Sequence, residues 1–236
     1  MKATDWEFSN RALLFGLIFA VSFPLYSLDP TNSTDALANW LGPLLRTKPD
    51  LTARLLLAGA SLLLALAAFL RTWASAYLHA GIVYASELHA ESLVADGPYR
   101  YVRNPLYCAN VLMAVGMGAM MSRAGFLVAV AGMLLFNYRL IFREEAGLRA
   151  TQGDSYRNYC AAVPRLFPSP WPRIASAGGA ARWSDGFRAE SWYWGFAAAV
   201  GAFAITLSLP VFFGILAASL VLFWVAAARM RKKSKA

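Results

Sequence analysis

Six apolar runs dominate the chain, at residues 11–28, 52–74, 105–122, 124–142, 190–208 and 211–228. Each is about as long as the 17 to 25 residues a helix needs to cross the hydrocarbon core of a bilayer. Lipid offers the backbone no hydrogen-bond partners, so runs of this length predict helices that satisfy themselves. The expected fold is all-α, a polytopic membrane helical bundle of about six spans. Only a short turn at Ser122 and Arg123 separates the third run from the fourth, and a turn around Pro210 separates the last two. Both pairs read as tight helical hairpins.

Composition supports this. Charged residues make up 15% of the chain, against about a quarter in soluble domains, and the mean hydropathy is +0.46. The 236 residues show no repeat at a fixed period and read as one membrane domain, 1–236. The first run follows acidic residues and lacks a small-residue cleavage site, so it reads as a retained span rather than a signal peptide.

The net charge of +9 is what basic cytoplasmic loops produce. Arg100, Arg103, the arginines from Arg139 to Arg188 and the cluster Arg229 to Lys235 fall on one side; Arg46, Lys48, Arg54 and Arg123 fall on the other. Both termini are thus expected in the cytoplasm of a multi-pass integral membrane protein. The basic tail directly follows an apolar helix, which suits a membrane anchor and argues against nucleic acid as a partner. Cys108 and Cys160 have neither disulfide-framework nor metal-ligand spacing, and His79 and His89 are the only histidines, so no metal site is expected.

The same topology gathers two polar segments, 79–104 and 139–188, at the cytoplasmic mouth of the third and fourth spans. The first ends in GPYRYVRNPLY, residues 97–107. Pro105 suits the first helical turn, and its ring pushes Asn104 out of helical geometry into the N-cap position. Interfacial anchoring alone would account for tyrosine and arginine here. The second segment opens RLIFREEAGLR, where Arg139 and Arg143 share a face and Glu145 can pair with Arg149 four residues on. Glu144 is left without a local partner. An ionisable residue at the inner end of a span is a functional candidate, and a solvated helix end is the competing account. The stretch GDSYRNYCAAVPRLFP that follows suits a lid or an interfacial helix, with Tyr156 and Tyr159 on one side.

Taken in order, these pieces resemble the isoprenylcysteine carboxyl methyltransferase and phospholipid methyltransferase superfamily. The matching residues are Gly97-Pro98-Tyr99, Arg103-Asn104-Pro105-Leu106-Tyr107, Glu144-Glu145, then Gly153, Tyr156 and Tyr159, and Val163-Pro164 with Pro168 behind. The likeness covers a core of about residues 84–170 and leaves out the hairpin 190–228. It implies a membrane methyltransferase binding S-adenosyl-L-methionine on the cytoplasmic side, with a lipidic or isoprenylated small molecule as acceptor, foremost an isoprenylcysteine-like carboxylate.

Carried over by position, the implied cofactor contacts are Glu91, Ser92, Leu93, Val94, Tyr99, Asn104, Pro105, Leu106, Tyr107 and Glu144. The implied catalytic set is Arg139, Arg143 and Glu144, either arginine standing for the substrate-side arginine of the family. The family's histidine before proline is Asn104 here, which hydrogen-bonds but cannot titrate near neutrality. His89 lies two residues ahead of the Glu91-Ser92 pair where the family has another histidine.

Two other readings compete. Tyr159-Cys160-Ala161-Ala162-Val163-Pro164 also resembles the tail of NADPH-dependent sterol and steroid reductases, although no further basic and aromatic site for a dinucleotide phosphate is evident and the Glu-Glu pair favours the methyltransferase. The uncharged hairpin would equally suit a non-catalytic transport or assembly subunit. Oligomeric state and acceptor identity are not legible.

Overall fold

The computed structural model describes residues 2–85 and 95–233, with side chains described for 2–78 and 95–225. Every extended element among them is helical, and one isolated bridge pairs Asn32 with Ser122. Thr4 and Glu7 cap α1 (Asp5–Ser9) reciprocally, the Thr4 hydroxyl taking the Glu7 amide at 3.2 Å and the Glu7 carboxylate taking the Thr4 amide at 2.7 Å. The second helix, α2 (Arg11–Ser22), tightens into a 3-10 turn at Phe23–Ser27 containing Pro24. Asn32 caps α3 (Ser33–Leu45) by accepting the amides of Thr34 and Asp35.

Then come α4 (Pro49–Ala85), a 3-10 turn at Gly97–Arg100, α5 (Pro105–Gly118), α6 (Arg123–Ala162), α7 (Trp183–Thr206) and α8 (Leu209–Lys233). Among the described residues two helices are long and apolar enough to cross a membrane, Pro49–Leu78 of α4 and α6; Arg11–Ser27, α5 and Leu209–Val225 are shorter apolar helices. Polar residues at its start, Asp185, Arg188 and Glu190, set α7 apart from both groups.

The centre of the bundle is α4, which packs on α3, α5 and α7, while α5 and α2 lie on α6 and α8 on α7. Small side chains allow the closest approach: a Cβ at Gly186 would run into the Thr72 carbonyl and Ala76 of α4. Outward-facing side chains on α2, α4, α6 and α8 are largely apolar, with Leu62 73%, Leu135 70% and Leu222 70% exposed. A contiguous surface of this kind suits lipid better than water.

The two ends of the bundle differ. At the far end the polar contacts tie α3 to the α5–α6 turn: Thr34 donates to the Ala119 carbonyl at 2.8 Å, and Arg123 meets Asp29 at 3.0 Å. At the near end the starts of α2, α5 and α7 meet the second halves of α4 and α6, and the polar side chains gather there.

Candidate functional site

The loop entering α5 is shaped by Gly97. Its φ of +56° lies in the left-handed region, and a Cβ there would overlap the Tyr77 ring. Beside it, Asp96 accepts the amides of Ala177 at 2.9 Å and Gly179 at 2.8 Å and the Ser176 hydroxyl. Burial pushes the Asp96 carboxyl up, but these hydrogen bonds together outweigh it and hold the group below its ordinary value. They fasten the connection between α6 and α7 across the loop, as do bonds from the Arg103 amide to the Pro164 carbonyl and the Ser169 amide to the Tyr101 carbonyl, each 2.9 Å. Within the loop Tyr99 is buried and its carbonyl accepts the Tyr159 hydroxyl at 2.7 Å; burial holds the Tyr99 phenol above its ordinary pKa.

Glu144 and Glu145 diverge because neighbours on a helix point about 100° apart. Glu145 is 1% exposed and meets Arg103 at 3.1 Å, Arg149 at 3.2 Å and Arg165 at 3.2 Å. Three guanidiniums around one carboxylate lock the loop, α6 and the chain beyond it together. Glu144 instead faces a cavity and accepts the Tyr107 hydroxyl at 2.7 Å. Asn104 stands at the N-cap of α5 without capping it; its amide donates to the Arg165 carbonyl at 3.0 Å. The α6 helix bends at Gly153, where φ 54° and ψ −126° suit glycine alone, so that Tyr156 and Tyr159 turn inward and line the same cavity.

This larger cavity measures about 720 Å³, inside the range of about 300–1,000 Å³ usual for small-molecule sites. Tyr99, Tyr107, Tyr156 and Tyr159 give it aromatic walls, and Leu106 and Leu148 apolar ones. Two of its lining residues carry buried polar atoms without a hydrogen-bond partner among the described residues, the Arg103 Nε and the Gln152 Oε1. A ligand with both an acceptor and a donor to offer would satisfy them.

A second cavity of about 440 Å³ adjoins it and shares Arg11, Phe15, Arg71 and Asn110. Its remaining lining is nearly all apolar: Phe19 on α2 and Phe23 just after it, Met113, Met117 and Met133 on α5 and α6, and Trp192, Tyr193 and Phe196 on α7. At the junction Arg71 donates its Nε to Glu190 at 2.7 Å and an Nη to Asn110 at 2.7 Å, with its guanidinium 4.1 Å from the Tyr193 ring centre. The chain of contacts continues through Asn137 to the Tyr107 carbonyl and, by the Tyr107 hydroxyl, to Glu144.

Of the residues expected from sequence, Tyr99, Asn104, Pro105, Leu106, Tyr107 and Glu144 come together around the larger cavity. Glu91, Ser92, Leu93 and Val94, with His89, lie outside the described residues. Arg139 and Arg143 line neither the larger nor the adjoining cavity. They turn to α1, Arg139 to Glu7 at 2.7 Å and Arg143 to Asp5 at 2.6 Å. The Arg139 guanidinium, with the Thr4 hydrogen bonds, lowers the Glu7 carboxyl from 4.5 to about 2.

The sequence reading passed over Arg11, Arg71, Asn110, Gln152 and Glu190. Arg71 and Glu190 did carry a signal, as opposite charges within or beside two apolar runs. Among the described residues no group of three His, Cys, Asp or Glu could hold a metal ion.

An apolar helical bundle thus carries a tyrosine-walled cavity beside the Glu144-Glu145 helix. Residues 55–154 match the family described as phospholipid methyltransferase. The matched stretch holds Arg71, Tyr99 to Asn110, Glu144 and Gln152 but ends before Tyr156 and α7. Among named proteins, the cobalt-zinc-cadmium resistance protein CzcN of Cupriavidus metallidurans is 28% identical over 129 residues, 55% of this chain and 51% of its own. The nickel-cobalt-cadmium resistance protein NccN of Alcaligenes xylosoxydans xylosoxydans is 30% identical over 86 residues, 36% of this chain and 40% of its own. The chain thus spans about half or less of the length of these curated relatives. No solved structure matches.

Proposed function

We propose that the protein is an S-adenosyl-L-methionine-dependent methyltransferase, binding its cofactor in the larger cavity and a lipidic acceptor in the adjoining apolar one. The observation that carries this reading is the pairing of the two chambers: a tyrosine-walled one, lined mostly from the segment that matches the methyltransferase family, adjoins a more apolar one through a shared set of four residues. Bound there, the cofactor supplies a methyl group on a cationic sulfonium.

The chain's residues have tasks that follow from their chemistry. Tyrosine faces such as Tyr99 and Tyr107 stabilise a nearby cation by about 0.5–2 kcal/mol each. Glu144 accepts hydrogen bonds from an ammonium or ribose hydroxyl while Tyr107 orients it. The Arg103 Nε suits a carboxylate and the Gln152 Oε1 a donor such as an amine. Methyl transfer demands alignment more than proton traffic, so the substitution of Asn104 for the family histidine costs the reaction nothing it needs. Arg139 and Arg143 act at one remove, by holding α1 against α6.

The acceptor reaches its chamber sideways. The α2 helix rests on α6, and α7 on α4 and α8, so the apolar cleft lies between two packed units whose outer faces are apolar. A six-span topology with the chambers at the cytoplasmic end follows from the basic residues there. An isoprenylcysteine-like carboxylate is the acceptor that fits best: its apolar chain suits the cleft and its head the arginines at the junction.

Titration calorimetry of the detergent-purified protein tests the reading. Saturable binding of S-adenosylhomocysteine, lost in Glu144→Gln, is expected. Binding of NADPH alone would replace the methyltransferase with a reductase, and binding of neither would leave a non-catalytic subunit.

A further inference from the structure

Arg11 occupies the junction of the two cavities and has no acid of its own. Of the other arginines that line them, Arg71 pairs with Glu190 and Arg103 with Glu145. No carboxylate among the described residues forms an ion pair with Arg11. Glu144 is near enough for the two charges to feel each other, but its carboxylate takes the Tyr107 hydroxyl.

Arg11 is nonetheless held in place. One Nη donates to the Phe8 carbonyl at 2.9 Å, and the guanidinium lies 4.5 Å from the centre of the Phe8 ring. The Arg143 guanidinium lies 4.8 Å from the same ring. The Arg139–Glu7 and Arg143–Asp5 pairs fasten α1 to α6, and the Ala3 amide donates to the Arg139 carbonyl at 3.0 Å. An exposed arginine in a solvated interface pays side-chain entropy for any fixed position. Here Phe8 takes both contacts of the guanidinium, and the ion pairs between α1 and α6 hold Phe8 in place beside the two chambers.

We propose that Arg11 determines acceptor specificity, selecting a lipid whose reacting head is an anion and whose chain lies in the apolar cleft. The inference rests on the two-chamber methyltransferase reading and adds to it a residue outside the family-matched segment. Arg71, balanced by Glu190, supplies hydrogen bonds but no net charge, which leaves Arg11, without an ion-pair partner among the described residues, as the cation that meets an anionic head. A methylated carboxylate is a neutral ester and loses this attraction. Arg11 therefore holds the acceptor more tightly than its own methylated product, which favours release.

The test is displacement of cis-parinaric acid from the full-length protein in detergent by oleate, methyl oleate and oleylamine. A charge-assisted hydrogen bond contributes about 1.5–3 kcal/mol, so oleate is expected to displace on the order of tenfold or more better than methyl oleate. Arg11→Gln should remove that preference and leave methyl oleate unchanged; Arg11→Lys should keep most of it. Arg157→Gln, an equal change in net charge at an exposed residue outside both cavities, should keep all of it. Arg11→Met serves in place of Gln if the latter fails to fold.

Equal displacement by oleate and methyl oleate in the unaltered protein overturns the proposal, as does a preference that survives loss of Arg11 or a stronger displacement by oleylamine. Titration of the same samples with S-adenosylhomocysteine separates the two failures. Its binding without any oleate preference defeats the Arg11 assignment alone. An Arg11-dependent oleate preference without S-adenosylhomocysteine binding keeps the anion site and defeats the methyltransferase reading.

Discussion

Glu190, near the start of α7, accepts the Nε of Arg71 of α4 at 2.7 Å and the Ser75 hydroxyl at the same distance. The acid comes from beyond the family-matched segment and the base from inside it. Breaking a buried pair by removing one partner leaves an uncompensated charge, at a cost of about 3–5 kcal/mol. Glu190→Ala is therefore expected to lower the thermal midpoint in detergent steeply, and Arg71→Met combined with Glu190→Leu to recover most of the loss. Additive losses in the double variant would show that the two do not act as a pair.

Glu144 and Glu145 are adjacent and chemically identical, yet their variants should fail differently. Glu145→Gln weakens contacts to three arginines at once and is expected to abolish folded, monodisperse protein. Glu144→Gln should elute and melt like the unaltered chain while binding S-adenosylhomocysteine at least about tenfold more weakly, the equivalent of one charge-assisted hydrogen bond. Size-exclusion profiles alongside calorimetry would separate the two.

The Gly97 turn tolerates no side chain. Gly97→Ala adds about 1–2 kcal/mol for the left-handed conformation and drives a methyl into the Tyr77 ring. Tyr77→Ala is expected to restore part of the stability, leaving the backbone strain. Equal midpoints for Gly97→Ala with and without Tyr77→Ala would assign the whole cost to strain.

Acid should loosen the connection between α6 and α7 before it unfolds the bundle. The Asp96 carboxyl is held below its ordinary value of 3.8, so its stabilising bonds are complete above that pH and are lost as pH falls through the lower folded value. Hydrogen exchange at the Ala177 and Gly179 amides, corrected for intrinsic rates, is expected to stay protected at pH 6 and open toward pH 3. Asp96→Asn should expose both amides already at pH 6.

Much of this arrangement could be read from the chain itself, because apolar run length and turn residues act locally. Pro105 opened α5 and the turn at Ser122 opened α6 as expected. The helix of the fourth run continues past 142 to Ala162, since charged residues from Arg139 onward stop the hydropathy signal without stopping the helix. The amphipathic α3 went unnoticed because it lies between apolar runs, and the short α1 because its capping pair, Thr4 with Glu7, lies ahead of the first apolar run. Tyr99 to Tyr107 and Glu144 carried a family pattern. Arg11 and Glu190 carried none, because what brings them to the junction is tertiary packing of α2 and α7. Arg139 and Arg143 misdirected the reading for the same reason: their partners, Glu7 and Asp5, lie more than a hundred residues away.

The separation of 119 residues between Arg71 and Glu190 also has a bearing on how the protein is made. While the chain is being synthesised, α4 must enter the bilayer with a guanidinium whose counter-ion has not yet left the ribosome. An arginine at the centre of a span carries an insertion penalty of about 2.5–3.5 kcal/mol; Arg71, near the end of its apolar run, carries a smaller one, offset by the apolar sequence before it. Until α7 docks, the nascent bundle displays that charge to any quality-control factor that surveys the membrane. Release from such surveillance thus coincides with the docking of α7 that completes the adjoining cavity, and chains stopped before residue 183 are expected to be cleared faster in pulse-chase labelling than the full chain.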